Sequence, residues 1–233
     1  LCYVTVSNGS LIFVINGKNY DLGLTTVAET VERSLISMGA FVIVMPDKKY
    51  INTVNTEDKG NIEATYTSVA GDAVTFELCK VDGASYEVNM ISPNEPTENL
   101  VNGYIWLDTS ITPNSLKVYS ETTGIWSSVT STYIKISAPG IGKVFNEGDG
   151  VKLSGITISS LNDLNNTMVI YAKDDDYIVV IGILTDSYST EQDTQITVER
   201  LMPEMDFIVE SNNRLWGCRY GLNRDGDVVN ELY

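Results

Sequence analysis

The side chains with the clearest chemical potential in this sequence are carboxylates. Asp174, Asp175 and Asp176 form one run, and Glu147 and Asp149 lie two residues apart. Carboxylate oxygens suit calcium when they converge from several segments, and two carboxylates facing across a cleft suit glycoside hydrolysis. Three adjacent carboxylates cannot all face one ion, so we interpret the run as the polar tip of a hairpin. We interpret the Glu147–Asp149 segment as a turn.

Cofactor and metal motifs are incomplete. Gly140-Ile141-Gly142 lacks the third glycine of a dinucleotide-binding fingerprint. In the segment 223–227 the oxygen side chains have the spacing of an EF-hand loop, but Gly226 comes before the third ligand position. The sequence contains no histidine, the usual general base and zinc ligand. We therefore predict no metal, no cofactor and no enzyme activity.

The cysteines favour buried free thiols. Cys2, Cys79 and Cys218 are far apart, odd in number, and form no C-x-x-C pair. One disulfide remains open as an alternative.

Three tryptophans are the candidate ligand-contact residues. Trp106, Trp126 and Trp216, together with 13 tyrosines, offer rings that stack on sugars. The same residue types fill cores and cross-strand pairs in ordinary β proteins. Exposed tryptophans in a groove would favour sugar binding, and complete burial of all three would count against it.

The elements that must position these residues are mainly strands. Leu11–Ile15, Ala40–Met45 and Tyr177–Leu184 have the length and composition of strands. Asn8-Gly9 and Asn16-Gly17 predict tight hairpin turns. One segment differs: Val27, Val31, Leu35 and Met38 follow helical spacing and predict a helix over Thr26–Met38. The fold class is all-β.

Charge divides the chain into three parts. Acidic and basic residues nearly balance in residues 1–62 and 200–233, whereas residues 63–199 carry most of the net charge of −16. This predicts a discontinuous host β domain formed by 1–62 and 200–233, with strands of the two parts paired. Residues 63–199 would then be an inserted acidic barrel or sandwich, either undivided or split near 96–115. The acidic balance argues against nucleic acid and anionic membrane surfaces as partners, and no apolar run is long enough for membrane insertion.

Three stretches resemble tail-associated virion proteins of bacteriophages and prophages of gut Gram-positive bacteria. Met38–Thr53 and Ser211–Cys218, the latter running on to Val229–Tyr233, resemble β-propeller blades of that family. Phe145–Gly155 is similar to a small β-barrel module of phage tail and baseplate proteins. Because a propeller needs several blades, this chain looks like a slice of a longer protein.

The resemblance implies a structural role and carries no catalytic residues. The expected function is a component of a phage particle in the tail, baseplate or head–tail junction, assembled in the bacterial cytoplasm and located in the virion. Its expected partners are other virion subunits or host cell-surface carbohydrate. Two alternatives stay open: a carbohydrate-binding adhesin module and a carboxylate-only glycoside hydrolase.

Overall fold

Strands dominate the structure of this chain. A computed structural model describes residues 2–25, 31–190, 194–218, 221 and 225–227. Strands hold 46 % of the described residues and helices 5 %, which confirms the all-β prediction. Within the described ranges, no helix has the length and apolar character needed to cross a membrane.

The chain divides into two compact units. The terminal unit comprises Leu1–Glu63 and Leu201–Tyr233, and the central unit comprises Ala64–Arg200. The charge pattern predicted boundaries after residues 62 and 199, and the structure places them one residue later, after residues 63 and 200. Ala64 and Arg200 are register partners on neighbouring antiparallel strands. The chain therefore enters and leaves the central unit at one place.

The first part of the terminal unit forms two antiparallel meanders, β1-β2-β3 and β4-β5-β6-β7. The turns at Asn8-Gly9 and Asn16-Gly17 have positive φ at both residues, as tight hairpins require. Both predicted hairpins are confirmed. The strands are β1 (Cys2–Ser7), β2 (Ser10–Ile15), β3 (Lys18–Thr25), β4 (Ser34–Met38), β5 (Phe41–Met45), β6 (Lys49–Asn52) and β7 (Lys59–Asn61).

The predicted helix over Thr26–Met38 is wrong where the structure describes it. Ser34–Met38 is strand β4, paired with β5, and residues 26–30 lie outside the described part. Leu35 belongs to the predicted apolar helix face but is 41 % exposed, whereas Ile36 is buried. Pairing with β5 and burial of Ile36 thus outweigh the helical spacing, which is a weak local preference.

In the part that the structure describes, the central unit contains strands in three sheets and two short helices. In chain order its elements are β8 (Ala64–Thr67), β9 (Thr75–Cys79), β10 (Met90–Ser92), β11 (Ile105–Asp108), β12 (Ser115–Ser120), β13 (Ile125–Ser128), β14 (Tyr133–Ser137), α1 (Ile141–Val144), β15 (Gly150–Ser154), a 3-10 helix (Ser159–Leu164), β16 (Thr167–Val169), β17 (Ala172–Asp174), β18 (Tyr177–Ile181), β19 (Tyr188–Ser189) and β20 (Thr197–Arg200).

Two of these sheets share one hydrophobic core. The orders are β17-β18-β14-β9-β19 and β16-β15-β20-β8. Phe76 and Ile136 of the first sheet and Leu153 and Val198 of the second are buried in the same cluster. A closed barrel requires the end strands to pair, and in the described residues both sheets remain open. The barrel expectation is therefore wrong for this unit, and its alternative, a sandwich, describes the shared core.

The third sheet, β10-β11-β12-β13, is a separate layer made from residues 90–128. In sequence it lies between β9 and β14, which pair with each other. Strand β10 runs parallel to β11, and the other neighbours are antiparallel. The region 96–115, where a split between sub-modules was expected, lies inside this sheet.

The chain returns to the terminal unit with the hairpin of β21 (Phe207–Ser211) and β22 (Arg214–Cys218). Among the described strands this hairpin pairs only with itself. Its Ile208 and Leu215 instead pack against Ile36 and Ile43. The expected strand pairing between the two parts of the host is thus replaced by side-chain packing. Segment 228–233, expected to be a strand, lies outside the described residues.

Candidate functional site

The three tryptophans occupy three different environments. Trp106 on β11 is buried, Trp126 on β13 is half-buried, and Trp216 on β22 is 37 % exposed. The first two lie in the central unit with ring centroids 5.4 Å apart. Trp216 belongs to the terminal unit. The predicted contact residues are therefore divided between the two units.

Trp126 is the centre of an aromatic cluster on the third sheet. Its ring contacts those of Tyr104 at 6.0 Å, Trp106 at 5.4 Å and Tyr119 at 5.2 Å. Tyr119 is its cross-strand partner. The ring planes meet at 54° to 82°, so the contacts are edge-to-face or tilted. This geometry suits packing and leaves no common flat platform for a ligand.

An ion pair lies against Trp106, one of the rings of the aromatic cluster. The Nζ atom of Lys117 lies 4.6 Å from the centroid of the Trp106 ring and 2.8 Å from Asp108 Oδ2. Asp108 Oδ1 also accepts hydrogen bonds from the backbone and hydroxyl of Ser110. These hydrogen bonds, first that from Lys117 and then those from Ser110, lower the pKa of Asp108 to about 2. Asp108 is therefore a permanently charged structural group near neutral pH.

A cavity of about 360 Å³ lies beside the aromatic cluster and shares Tyr104 with it. Its walls include two tyrosines, two asparagines and one pair of opposite charges: Lys80, Tyr86, Glu87, Asn89, Asn102 and Tyr104. We call it the tyrosine cavity. Its residues come from separate loops and strands with no fixed spacing, so no sequence motif predicts it. The abundance of tyrosine was the only signal.

The three carboxylates of the Asp174–Asp176 run each make a different contact. Asp176 Oδ1 accepts the N–H of Gly140 at 2.7 Å, and Asp175 Oδ2 lies 3.5 Å from Lys143 Nζ. Asp174 Oδ1 accepts the N–H of Asp175. The run thus lies against the segment that carries the G-x-G motif. Within the described part of the chain no group of three cysteine or acidic residues is arranged to hold a metal ion.

The close approach of α1 to the turn between β17 and β18 explains why position 142 is a glycine. A Cβ atom at this position would overlap the carbonyl oxygen of Asp174 and lie 2.7 Å from that of Tyr177. The Nζ of Lys173 donates to the carbonyl of Gly142 at 2.7 Å. Gly142 is therefore required for close packing of α1 on the β17–β18 turn, not for phosphate binding.

Asp149 of the other carboxylate pair also has a structural role. Asp149 Oδ2 accepts the backbone N–H of Asn146 and pairs with Arg200 Nη1 at 2.5 Å. This contact ties the turn before β15 to strand β20.

Cys79 and Cys218 are free thiols. Burial raises the pKa of Cys79 to about 11, so this thiol stays protonated and unreactive near neutral pH. The side chain of Cys2 lies outside the described residues.

Comparison with known proteins identifies no relative: no protein-family model, no curated protein and no solved structure matches the chain.

Proposed function

We propose that this chain is a structural component of a bacteriophage particle, in the tail, baseplate or head–tail junction. It acts by binding other virion subunits and has no catalytic role, cofactor or nucleic-acid partner. The proposal rests on the resemblance of three stretches to tail-associated virion proteins and on one surface of the terminal unit.

That surface is the outward face of the β21–β22 hairpin, which we call the hairpin face. Its exposed apolar members are Phe207, Val209 and Trp216, which are 56 %, 61 % and 37 % exposed. Val209 and Trp216 are cross-strand partners. The opposite face of the same hairpin packs on the terminal unit through Ile208 and Leu215.

A hairpin that is apolar on both faces favours a protein partner. Strands with one packed face normally place polar residues on the other, because apolar side chains gain nothing from contact with water. A contiguous apolar patch on a soluble protein often marks an interaction surface. The net charge of −16 opposes association between identical copies and favours partners with basic surfaces.

The experiment is to purify intact particles from an induced lysogen whose prophage encodes this chain. Mass spectrometry and immunogold labelling should find the chain in the particles in a fixed ratio to other tail subunits. Val209→Lys should reduce its incorporation strongly, whereas Val54→Lys, at another exposed valine of the same unit, should not. Particles that lack the chain while the lysate contains it would refute the proposal.

Saccharide binding is the second candidate function, and the tyrosine cavity favours it. Glycoside hydrolysis has less support, because Asp149 is held by Arg200 and Asp108 by Lys117.

A further inference from the structure

We infer that the tyrosine cavity binds a neutral oligosaccharide. The inference concerns the central unit alone and does not rest on the virion role. It is carried by the aromatic walls, the oriented polar groups, the balance of charge and the size of the cavity.

Two tyrosine rings form the aromatic walls. Tyr104 is half-buried and its ring meets Trp126 edge-on, at 6.0 Å and 82°, so the aromatic cluster supports it from behind. Tyr86 is half-buried as well, and Lys80 Nζ lies 5.9 Å from its ring centroid. Supported tyrosine rings offer rigid apolar surface at small entropic cost, which suits the C–H faces of sugar rings.

The polar groups of the tyrosine cavity are oriented by the backbone. Asn89 Oδ1 accepts the N–H of Ile105 at 2.7 Å, and Asn102 Oδ1 accepts the N–H of Glu121 at 3.3 Å. Each carboxamide is held through its oxygen, and its NH2 group is left as a donor. Glu87 adds an acceptor on the same walls. Fixed donors and acceptors around apolar surface match a polyhydroxylated ligand.

The charges on the cavity walls and on the rest of the chain favour a neutral ligand. The walls of the tyrosine cavity carry one lysine, Lys80, and one glutamate, Glu87, so their formal charges cancel. The chain around it is strongly acidic and repels anionic glycans.

The size of the site indicates more than one sugar ring. The tyrosine cavity, at about 360 Å³, lies at the lower end of the roughly 300–1,000 Å³ of small-molecule sites. Tyr104 is also a wall of a second cavity of about 410 Å³, lined by the loop that follows β10, including Asn94, Thr97 and Asn99. A ligand that contacts Tyr104 in the tyrosine cavity can therefore extend toward this second cavity.

The test is binding of the full chain to an array of immobilised neutral oligosaccharides built from hexoses, deoxyhexoses and N-acetylhexosamines. Positive compounds are then titrated in solution by calorimetry. We expect saturable one-site binding to at least one compound. Tyr104→Ala should weaken it at least about tenfold, because it removes a stacking surface. Tyr104→Phe should keep most of the affinity.

Two further variants keep the test independent of folding. Glu87 is exposed, and Glu87→Gln removes only the charge of its acceptor group, so this variant should fold normally and bind more weakly. Val54→Lys changes an exposed valine of the terminal unit and should bind as the parent does. The inference is overturned if no neutral compound binds, if only acidic glycans bind, or if Tyr104→Ala and Glu87→Gln leave the affinity unchanged. A chain that binds glycans but is absent from particles would refute the virion role alone.

Discussion

Glu63 Oε1 accepts a hydrogen bond from the backbone N–H of Met202 at 3.0 Å, although 139 positions separate the two residues. The same oxygen accepts a hydrogen bond from Lys48 Nζ at 2.9 Å, and Lys48 also pairs with Glu204 at 2.6 Å. Burial acts to lower the pKa of Lys48, but the hydrogen bonds to Glu204 and Glu63 outweigh it and raise the pKa. These contacts fasten the terminal unit at the points where the chain leaves it and returns.

Replacing Glu63 by alanine should destabilise the terminal unit by about 1–3 kcal/mol, because a partly buried N–H and ammonium lose their shared acceptor. Urea unfolding followed by circular dichroism measures this loss. Glu204→Ala is the matched control: its carboxylate is mostly exposed, and its removal should cost less than about 1 kcal/mol. Equal losses in both variants would contradict the prediction.

Because of the ion pair between Asp108 and Lys117, the stability of the third sheet should vary with pH in the acid range. Its folded pKa of about 2 lies below the unfolded value of about 3.9. The stabilisation is therefore complete above about pH 4 and is lost as the pH falls toward about 2. Thermal unfolding of the parent and Asp108→Asn across this range should show a stability difference that shrinks with acidity. A constant difference would show that the ion pair does not titrate as described.

Trp126→Ala should destabilise the central unit by about 2–3 kcal/mol, because its ring holds three other aromatic rings in place. Trp216→Ala removes the same side-chain type from an exposed position and should cost less than about 1 kcal/mol. Urea denaturation of both variants makes the comparison. The prediction fails if the two losses are alike.

Gly142→Ala should cost about 1–3 kcal/mol or more, because the added methyl group forces α1 away from the carbonyl of Asp174. Gly150→Ala is the control, since a Cβ there meets no atom within 4 Å and its φ is not positive. The measurement is the melting temperature of each variant compared with that of the parent. A Gly142→Ala protein as stable as the control would mean that the turn moves aside freely.

Self-association of the isolated chain should increase with salt. The hairpin face attracts a second apolar surface, while the net charge of −16 keeps copies apart until counter-ions screen it. Light scattering across a salt series should show a monomer at low salt and larger species as salt rises. Val209→Lys should suppress this rise, and Val54→Lys should not. A tight oligomer that is insensitive to salt would contradict the prediction.

Local sequence signals predicted the local structure well where backbone chemistry dominates. Asn16-Gly17 takes the left-handed conformation at both residues, and a two-residue turn of this type follows directly from it. The signals failed at Leu35, where helical spacing was overruled by pairing with β5. They did not predict the tyrosine cavity, because Tyr86 and Tyr104 come to line the same cavity only in the folded chain. Long-range contacts of this kind have no signature in a single sequence.

The register pair of Ala64 and Arg200 shortens the loop that the terminal unit has to close. Closing the terminal unit directly would mean bringing together residues separated by a loop of 139 positions, at an entropic cost that grows with the logarithm of loop length. Once β8 and β20 have paired, the loop is effectively only a few residues long. Folding of the central unit therefore holds Glu63 and Met202 close together and lowers the entropic cost of joining the two halves of the terminal unit.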